Sequence, residues 1–283
     1  MPYDPRQTDS RLENNEIYKH YKSSQYLSIK HSSYFQVYEE LLSKYRHKKI
    51  TFVEIGVFNG GSLFMWRSYF GPEARVIGID FNPEAKKWEK DGFEIFIGSQ
   101  SDPAFWDNFF AAVGNIDILL DDGGHTNEQQ IITVQKCIPN IKDKGLLIVE
   151  DTHSSYMKSY GNPSRYSFIN YVNRLVDTCV NSRFPGALKS ANPFKEAIYS
   201  ISYYESIVCF HIDREKCFVS TLLSNGGATS NAVDFVYEDR LSKQLSNALT
   251  AIFKSFGIKV SAQRFFRYFE DISINRRIKK YFD

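Results

Sequence analysis

The chain has 283 residues, 42% hydrophobic and 24% charged, a balance that excludes global disorder and fits one large domain with appendages or two small domains. Its 35 basic and 33 acidic residues leave a net charge of +2, too weak a field to argue for a nucleic-acid partner. The unusual quantity is aromatic content, 16%, which suits a large core, an acceptor wall or a subunit interface.

Residues 1–33 are polar and Tyr-rich and read as an N-terminal arm. The opening Met1-Pro2-Tyr3-Asp4-Pro5-Arg6 lacks the basic-then-apolar profile of a signal peptide, and no apolar run is long enough for a transmembrane segment. Cys137, Cys179, Cys209 and Cys217 are scattered, without CxxC spacing, and read as reduced thiols. A cytoplasmic protein is the expectation.

Tyr34, Val37, Tyr38, Leu41, Leu42 and Tyr45 recur at helical spacing, and the basic residues 46–49 suit the end of that helix. Short apolar runs at 50–55, 76–79, 93–97, 116–120 and 146–149 then alternate with helical patterns at 62–70, 83–90, 104–112 and 127–137. Such alternation predicts an α/β fold, a mostly parallel sheet with helices on both faces. A helix over 166–181 and two strands over 197–204 and 207–212 complete a domain expected to span 34–220. A helical C-terminal extension over 221–283 follows. Leu241, Leu245, Ala248, Ile252 and Phe256 mark its amphipathic helix, ended by Gly257. Residues 241–283 carry nine basic residues against three acidic ones, with Phe265, Phe266, Tyr268, Phe269, Tyr281 and Phe282 interleaved. That composition suits an oligomer-docking tail or contact with an anionic acceptor; a homo-oligomer is expected and nucleic acid is not.

Phe52 to Leu63 joins a buried strand to a helix through a glycine-rich turn. Gly56 permits a sharp turn, Gly60 and Gly61 permit close approach of backbone to ligand, and Ser62 can cap the helix. The spacing G-x-x-x-G-G is neither the dinucleotide fingerprint nor a Walker loop, so a carboxylate fits there as well as a phosphate. Glu54 at the strand end suits a cationic amine, and Asp80 ends the next strand where an acid would receive both hydroxyls of a ribose. Ser99, Gln100 and Ser101 follow the third strand, where an adenine edge would be read. Together these point to S-adenosylmethionine (SAM).

Two neighbouring strands run into acids: Asp121-Asp122-Gly123-Gly124-His125 and Glu150-Asp151-Thr152-His153. Carboxylates so close repel unless protonated or neutralised by a cation, and oxygen ligands suit Mg²⁺ or Mn²⁺. Zinc would instead use His125 and His153, and helix capping and turn formation also favour Asp and Gly-Gly. His125 is the candidate general base, because its unperturbed pKa lies near the working pH.

On Glu54-Ile55-Gly56, Gly60-Gly61-Ser62, Gly78-Ile79-Asp80, the 98–102 segment, Asp121 to His125 and Glu150-Asp151, the sequence resembles class I SAM-dependent methyltransferases. Within them it resembles the metal-dependent sugar O-methyltransferases of macrolide biosynthesis and the related cephalosporin hydroxylase-like family. The resemblance runs over about 28–212 and implies a Rossmann-like seven-stranded sheet whose last strand is antiparallel. It implies that Glu54, Gly56, Gly60, Gly61, Ser62, Asp80, Ser99, Gln100, Ser101 and Asp121 hold SAM. It also implies that Asp122, Glu150 and Asp151 bind Mg²⁺ and that His125 is the base. A Gly at position 124, where the antibiotic enzymes often have Ser, is a departure. The implied reaction methylates a sugar hydroxyl of a glycan, nucleotide sugar or glycosylated natural product. The alternatives are a nucleotide-sugar oxidoreductase, which would need a pyrophosphate-type loop, and a non-catalytic SAM- or glycan-binding protein.

Overall fold

The computed structural model describes residues 8–160, 164–228, 230, 241–256, 268, 272 and 275–281. Seven strands form one sheet: β1 (Thr51–Ile55), β2 (Arg75–Asp80), β3 (Glu94–Ile97), β4 (Ile116–Asp121), β5 (Ile141–Val149), β6 (Ile198–Tyr204) and β7 (Ile207–Ile212). Their order is β3-β2-β1-β4-β5-β7-β6, parallel through β5, with β7 antiparallel to both of its neighbours. The expected Rossmann-like sheet is therefore present.

Alternate side chains of each strand enter opposite cores, as period-2 geometry requires. Phe52, Ile118, Leu120, Leu146 and Ile148 face helices α1 (Glu16–Ser23), α2 (Tyr34–Leu42) and α3 (Gly61–Phe70). Val53, Ile77, Leu119, Leu147 and Val149 face α4 (Pro103–Val113), α5 (Asn127–Cys137) and α6 (Phe168–Leu175). Both cores are aromatic. Trp66 packs at 5.1 Å from Phe52 and 5.2 Å from Tyr38, and Trp106 packs at 5.8 Å from Phe109, so much of the aromatic excess is interior. Local chemistry sets the helix starts: Asp102 caps α4 ahead of Pro103, and Thr126 with Gln129 forms a capping box on α5.

Three segments differ from the sequence expectation. Residues 16–33 do not hang free: Asn15 caps α1, Ile17 is fully buried, and α1 packs on α3. The expected helix over 83–90 winds as a 3-10 helix, Pro83–Asp91, held between the Asn82 cap and left-handed Gly92. The expected helix over 166–181 is α-helical only at Phe168–Leu175 and continues as a π-helical turn, Val176–Val180. There the Thr178 hydroxyl donates to the Arg174 carbonyl at 2.7 Å, and that side-chain bond competes with the regular backbone ladder.

All four cysteines are free, three of them buried. Contacts divide the chain into Met1–Thr221 and Leu222–Asp283. In the second unit α7 (Leu241–Ser255) matches the amphipathic pattern, with Leu245, Ile252 and Phe256 exposed. Gly257, Phe265, Phe266, Phe269 and Phe282 lie outside the described residues. Among the described residues no helix is long and apolar enough to cross a membrane.

Candidate functional site

The strand order reverses between β1 and β4, and in open α/β sheets ligands bind beyond the carboxyl ends of the strands at such a point. A cavity of about 720 Å³ lies there. Gly56, Ser62, Asp80, Ser99, Gln100 and Asp122 line it, with Leu27, Ser28 and Ile29 contributed by the N-terminal segment. Of the other residues expected at the cofactor, Glu54, Gly60, Gly61, Ser101 and Asp121 are not on its wall.

The loop after β1 is held by backbone pairing to β2 on one side and to the turn after β4 on the other. Gly56 N–H donates to the Ile79 carbonyl at 2.8 Å, and Asp122 N–H donates to the Ile55 carbonyl at 3.1 Å. Gly56 has a φ of +92° and Gly60 one of +81°, the left-handed region that glycine enters at little cost. A Cβ on Gly60 would lie 2.4 Å from the Trp88 ring. Asp80 organises this loop as well as facing the cavity. Its Oδ2 accepts the amides of Val57 at 2.8 Å and Phe58 at 3.1 Å, and its Oδ1 accepts that of Asn82 at 2.8 Å. A carboxylate has about four acceptor directions, so one remains for a ligand hydroxyl.

Behind the cavity wall are buried acids. Glu54 is fully buried and accepts Ser62 Oγ–H at 2.7 Å and Trp66 Nε1–H at 3.0 Å. Burial pushes its pKa up to about 7, against the opposing pull of Lys30. Asp121, also buried and with its pKa raised by burial, accepts Gln100 Nε2–H at 3.0 Å and the Gly123 amide at 3.2 Å. Gln100 Oε1 in turn accepts the Gly124 amide at 2.8 Å, so the third-strand loop holds the acidic turn in shape. Ser101 contributes its amide to Ser99 Oγ at 3.2 Å.

At the far edge Asp122, His125 and Asp151 each offer a ligand atom, all within 4.8 Å of one another. His125 and Asp151 both adopt positive φ, 58° and 55°, a region that residues other than glycine seldom enter. His125 Nε2 is 3.3 Å from Asp151 Oδ2, and Asp151 Oδ1 accepts Tyr34 O–H at 2.5 Å. Among the described residues His125 Nδ1 is buried without a partner. A small cleft of about 200 Å³ adjoins this edge, lined by His31, His125, Asp151, His153, Ser154 and Tyr160. His153 lines the same cleft, its Nδ1 2.5 Å from Ser206 Oγ, but the close group of ligand atoms is Asp122, His125 and Asp151 and does not include it. Glu150, expected beside Asp122 and Asp151, is fully buried, meets the Tyr38 hydroxyl and faces Lys30 at 3.0 Å. Burial raises its pKa well above the usual carboxylate range.

Lys30, which sequence reasoning did not single out, reaches this acidic cluster, 2.6 Å from Asp122 and 3.0 Å from Glu150. It sits in a segment without periodicity, so only its place two residues past the start of the family resemblance hinted at it.

Residues 53–152, the span from β1 to just past β5, match the family described as a methyltransferase domain. The chain resembles sugar O-methyltransferases. A rhamnosyl tetracenomycin-C 2'-O-methyltransferase of Streptomyces olivaceus is 30% identical over 64% of this chain and 52% of its own length. A demethylmacrocin O-methyltransferase of Streptomyces fradiae is 27% identical over 58% of this chain and 45% of its own. The chain thus spans about half the length of these relatives. Among solved structures, MycE methyltransferase from the mycinamycin biosynthetic pathway, in complex with Mg, SAH and mycinamycin VI, superposes with a TM-score of 0.63. It is 21% identical, covering 79% of this chain and 57% of that one, which speaks to the fold. The resemblance expected from the motifs is borne out, including the sheet.

Proposed function

We propose that the protein is a SAM-dependent O-methyltransferase that uses Mg²⁺ and acts on a sugar hydroxyl of a glycosylated acceptor. The observation that carries this reading is the adjacency of two parts. A cavity runs from Asp80 to Asp122 at the switch point, and Asp122 also belongs to the Asp122–His125–Asp151 triangle beside it. The relative from Streptomyces olivaceus is a rhamnosyl tetracenomycin-C 2'-O-methyltransferase, and MycE was solved with Mg and SAH.

The cavity residues suit SAM. The free acceptor direction on Asp80 takes a ribose hydroxyl, and Ser99 and Gln100 stand on the adjoining wall for the adenine. Ser62, at the start of α3, offers N-terminal amides to a carboxylate. Glu54 supports this wall through Ser62, and is itself held from behind by Trp66.

The donor set also fits a hard divalent ion, because two carboxylates with open sides converge beside a solvent-reached cleft. Asp122 and Asp151 would hold it, with Glu150 behind them as the third acid of the cluster. Bound there, Mg²⁺ would lower the pKa of an acceptor hydroxyl. His125 Nε2, at the same edge, takes the hydroxyl proton. The oxygen forms a bond to the sulfonium methyl carbon, the carbon–sulfur bond breaks, and its electron pair stays on sulfur as the thioether of SAH. Holding oxygen and methyl in line supplies much of the remaining rate.

The test is thermal unfolding with SAM, SAH and NAD, followed by mass spectrometry of rhamnosides incubated with SAM and Mg²⁺. SAM and SAH should raise the melting temperature and NAD should not, and one methyl should appear on the sugar. Stabilisation by NAD alone would overturn the reading in favour of a nucleotide-dependent oxidoreductase.

A further inference from the structure

Lys30 lies on no regular element, yet its side chain is 1% exposed. Its ammonium is 2.6 Å from Asp122 Oδ2, 3.0 Å from Glu150 Oε2 and 3.8 Å from Glu54 Oε1. Those acids belong to the carboxyl ends of β4, β5 and β1, so one side chain ties together three strands across the switch point. An ammonium has three protons and no acceptor, which matches three converging carboxylates. A buried charge is tolerated when it is paired in this way, and removing one partner leaves the others uncompensated.

The backbone around Lys30 forms one wall of the cofactor cavity through Leu27, Ser28 and Ile29. Its outer end is fastened as well. Ser24 Oγ–H donates to the Gly61 carbonyl at 2.8 Å, and a Cβ on Gly61 would lie 2.3 Å from the Tyr26 carbonyl oxygen. Residues 24–33 therefore cross the glycine-rich loop as a strap pinned at both ends. Lys30 is the inner pin.

We propose that Lys30 is a positioning residue that clamps the strap of residues 24–33 across the cofactor cavity, anchored on Asp122, Glu150 and Glu54. The proposal rests on reading the cavity as the SAM site. Lys30 acts through Asp122 and the cavity wall.

The experiment measures SAH binding by isothermal titration calorimetry and Mn²⁺ binding by electron paramagnetic resonance on the full chain. Lys30→Met should weaken SAH binding by about tenfold or more, and Lys30→Arg should restore it to within about threefold of wild type. Mn²⁺ affinity in Lys30→Met should hold or increase, because a neighbouring positive charge has gone. A merely structural role would weaken both ligands together, with no rescue by arginine. That pattern, or SAH affinity in Lys30→Met within about twofold of wild type, overturns the proposal. Should Lys30→Met fail to fold, Lys30→Met with Glu150→Gln removes both buried charges and is expected to fold, with the same loss of SAH affinity. Wild-type protein that binds no SAH would overturn the SAM reading and this proposal with it. Binding by wild type with an unshifted Lys30→Met overturns this proposal alone.

Discussion

Gly56 and Asp122 are in backbone contact: a Cβ on Gly56 would lie 2.1 Å from the Asp122 carbonyl oxygen. The turn after β1 and the acidic turn after β4 therefore share one surface, and the proposed cofactor and cation sites are built on it. Gly56 combines this close approach with a φ of +92°, so an alanine there meets both backbone strain and a collision. Gly56→Ala should cost about 2–4 kcal/mol and abolish SAH binding. Thermal unfolding should show a drop of about 5–10 °C. A variant that melts as wild type does and still binds SAH would remove the basis for this shared surface.

Asp151 tests the cation edge without disturbing the cavity, whose wall it does not join. Asn is the suitable replacement, because the residue holds a φ of 55° and asparagine tolerates the left-handed region better than most side chains. Asp151→Asn should weaken Mn²⁺ binding by about tenfold or more while SAH affinity stays within about threefold. Loss of SAH binding with Mn²⁺ binding intact would mean the acid serves the other ligand.

The sequence made the sheet readable because each buried strand is a short apolar run bounded by turn residues. Asp80, Asp122 and Asp151 were readable because each stands where such a run stops. Lys30 was not, since nothing in the 24–33 segment repeats and its three partners lie 24, 92 and 120 residues away. Helix α1 was missed for another reason. Its buried residues, Ile17 and Tyr18, sit among Glu16, Lys19, His20 and Lys22, and eight residues are too few for a periodic stripe to stand out. Glu54 shows a third limit. Its place at the end of β1 was evident, but its engagement by Ser62 and Trp66 behind the cavity wall depends on how α3 packs over the strand.

His125 separates proton transfer from binding. Its ring lies at the cation edge and in the small cleft, off the wall of the larger cavity. His125→Ala should lower turnover by about 10²–10⁴-fold, the usual contribution of a positioned base, with SAH affinity nearly unchanged. Titrating SAH and following methyl transfer on the same preparation gives both numbers. Equal losses in the two would show that the imidazole holds the site together and does not accept the proton.

Glu54 gives a pH dependence with a definite sign. Its carboxyl titrates near its ordinary value of 4.5 in the unfolded chain and at about 7 in the fold, where burial disfavours the charge. Between those values the native state keeps a proton that the unfolded state has lost, so stability falls as pH rises through this window. The loss is complete above about pH 7 and on the order of 3 kcal/mol. Glutamine can keep its amide oxygen for Trp66 Nε1–H and donate its amide N–H to Ser62 Oγ, and it does not ionise. Urea unfolding at pH 5 through 8 should therefore show a shallower decline for Glu54→Gln than for wild type, the variant gaining on wild type as pH rises. Parallel curves would mean that Lys30, only 3.8 Å from Glu54, keeps the carboxylate charged throughout and that burial does not win.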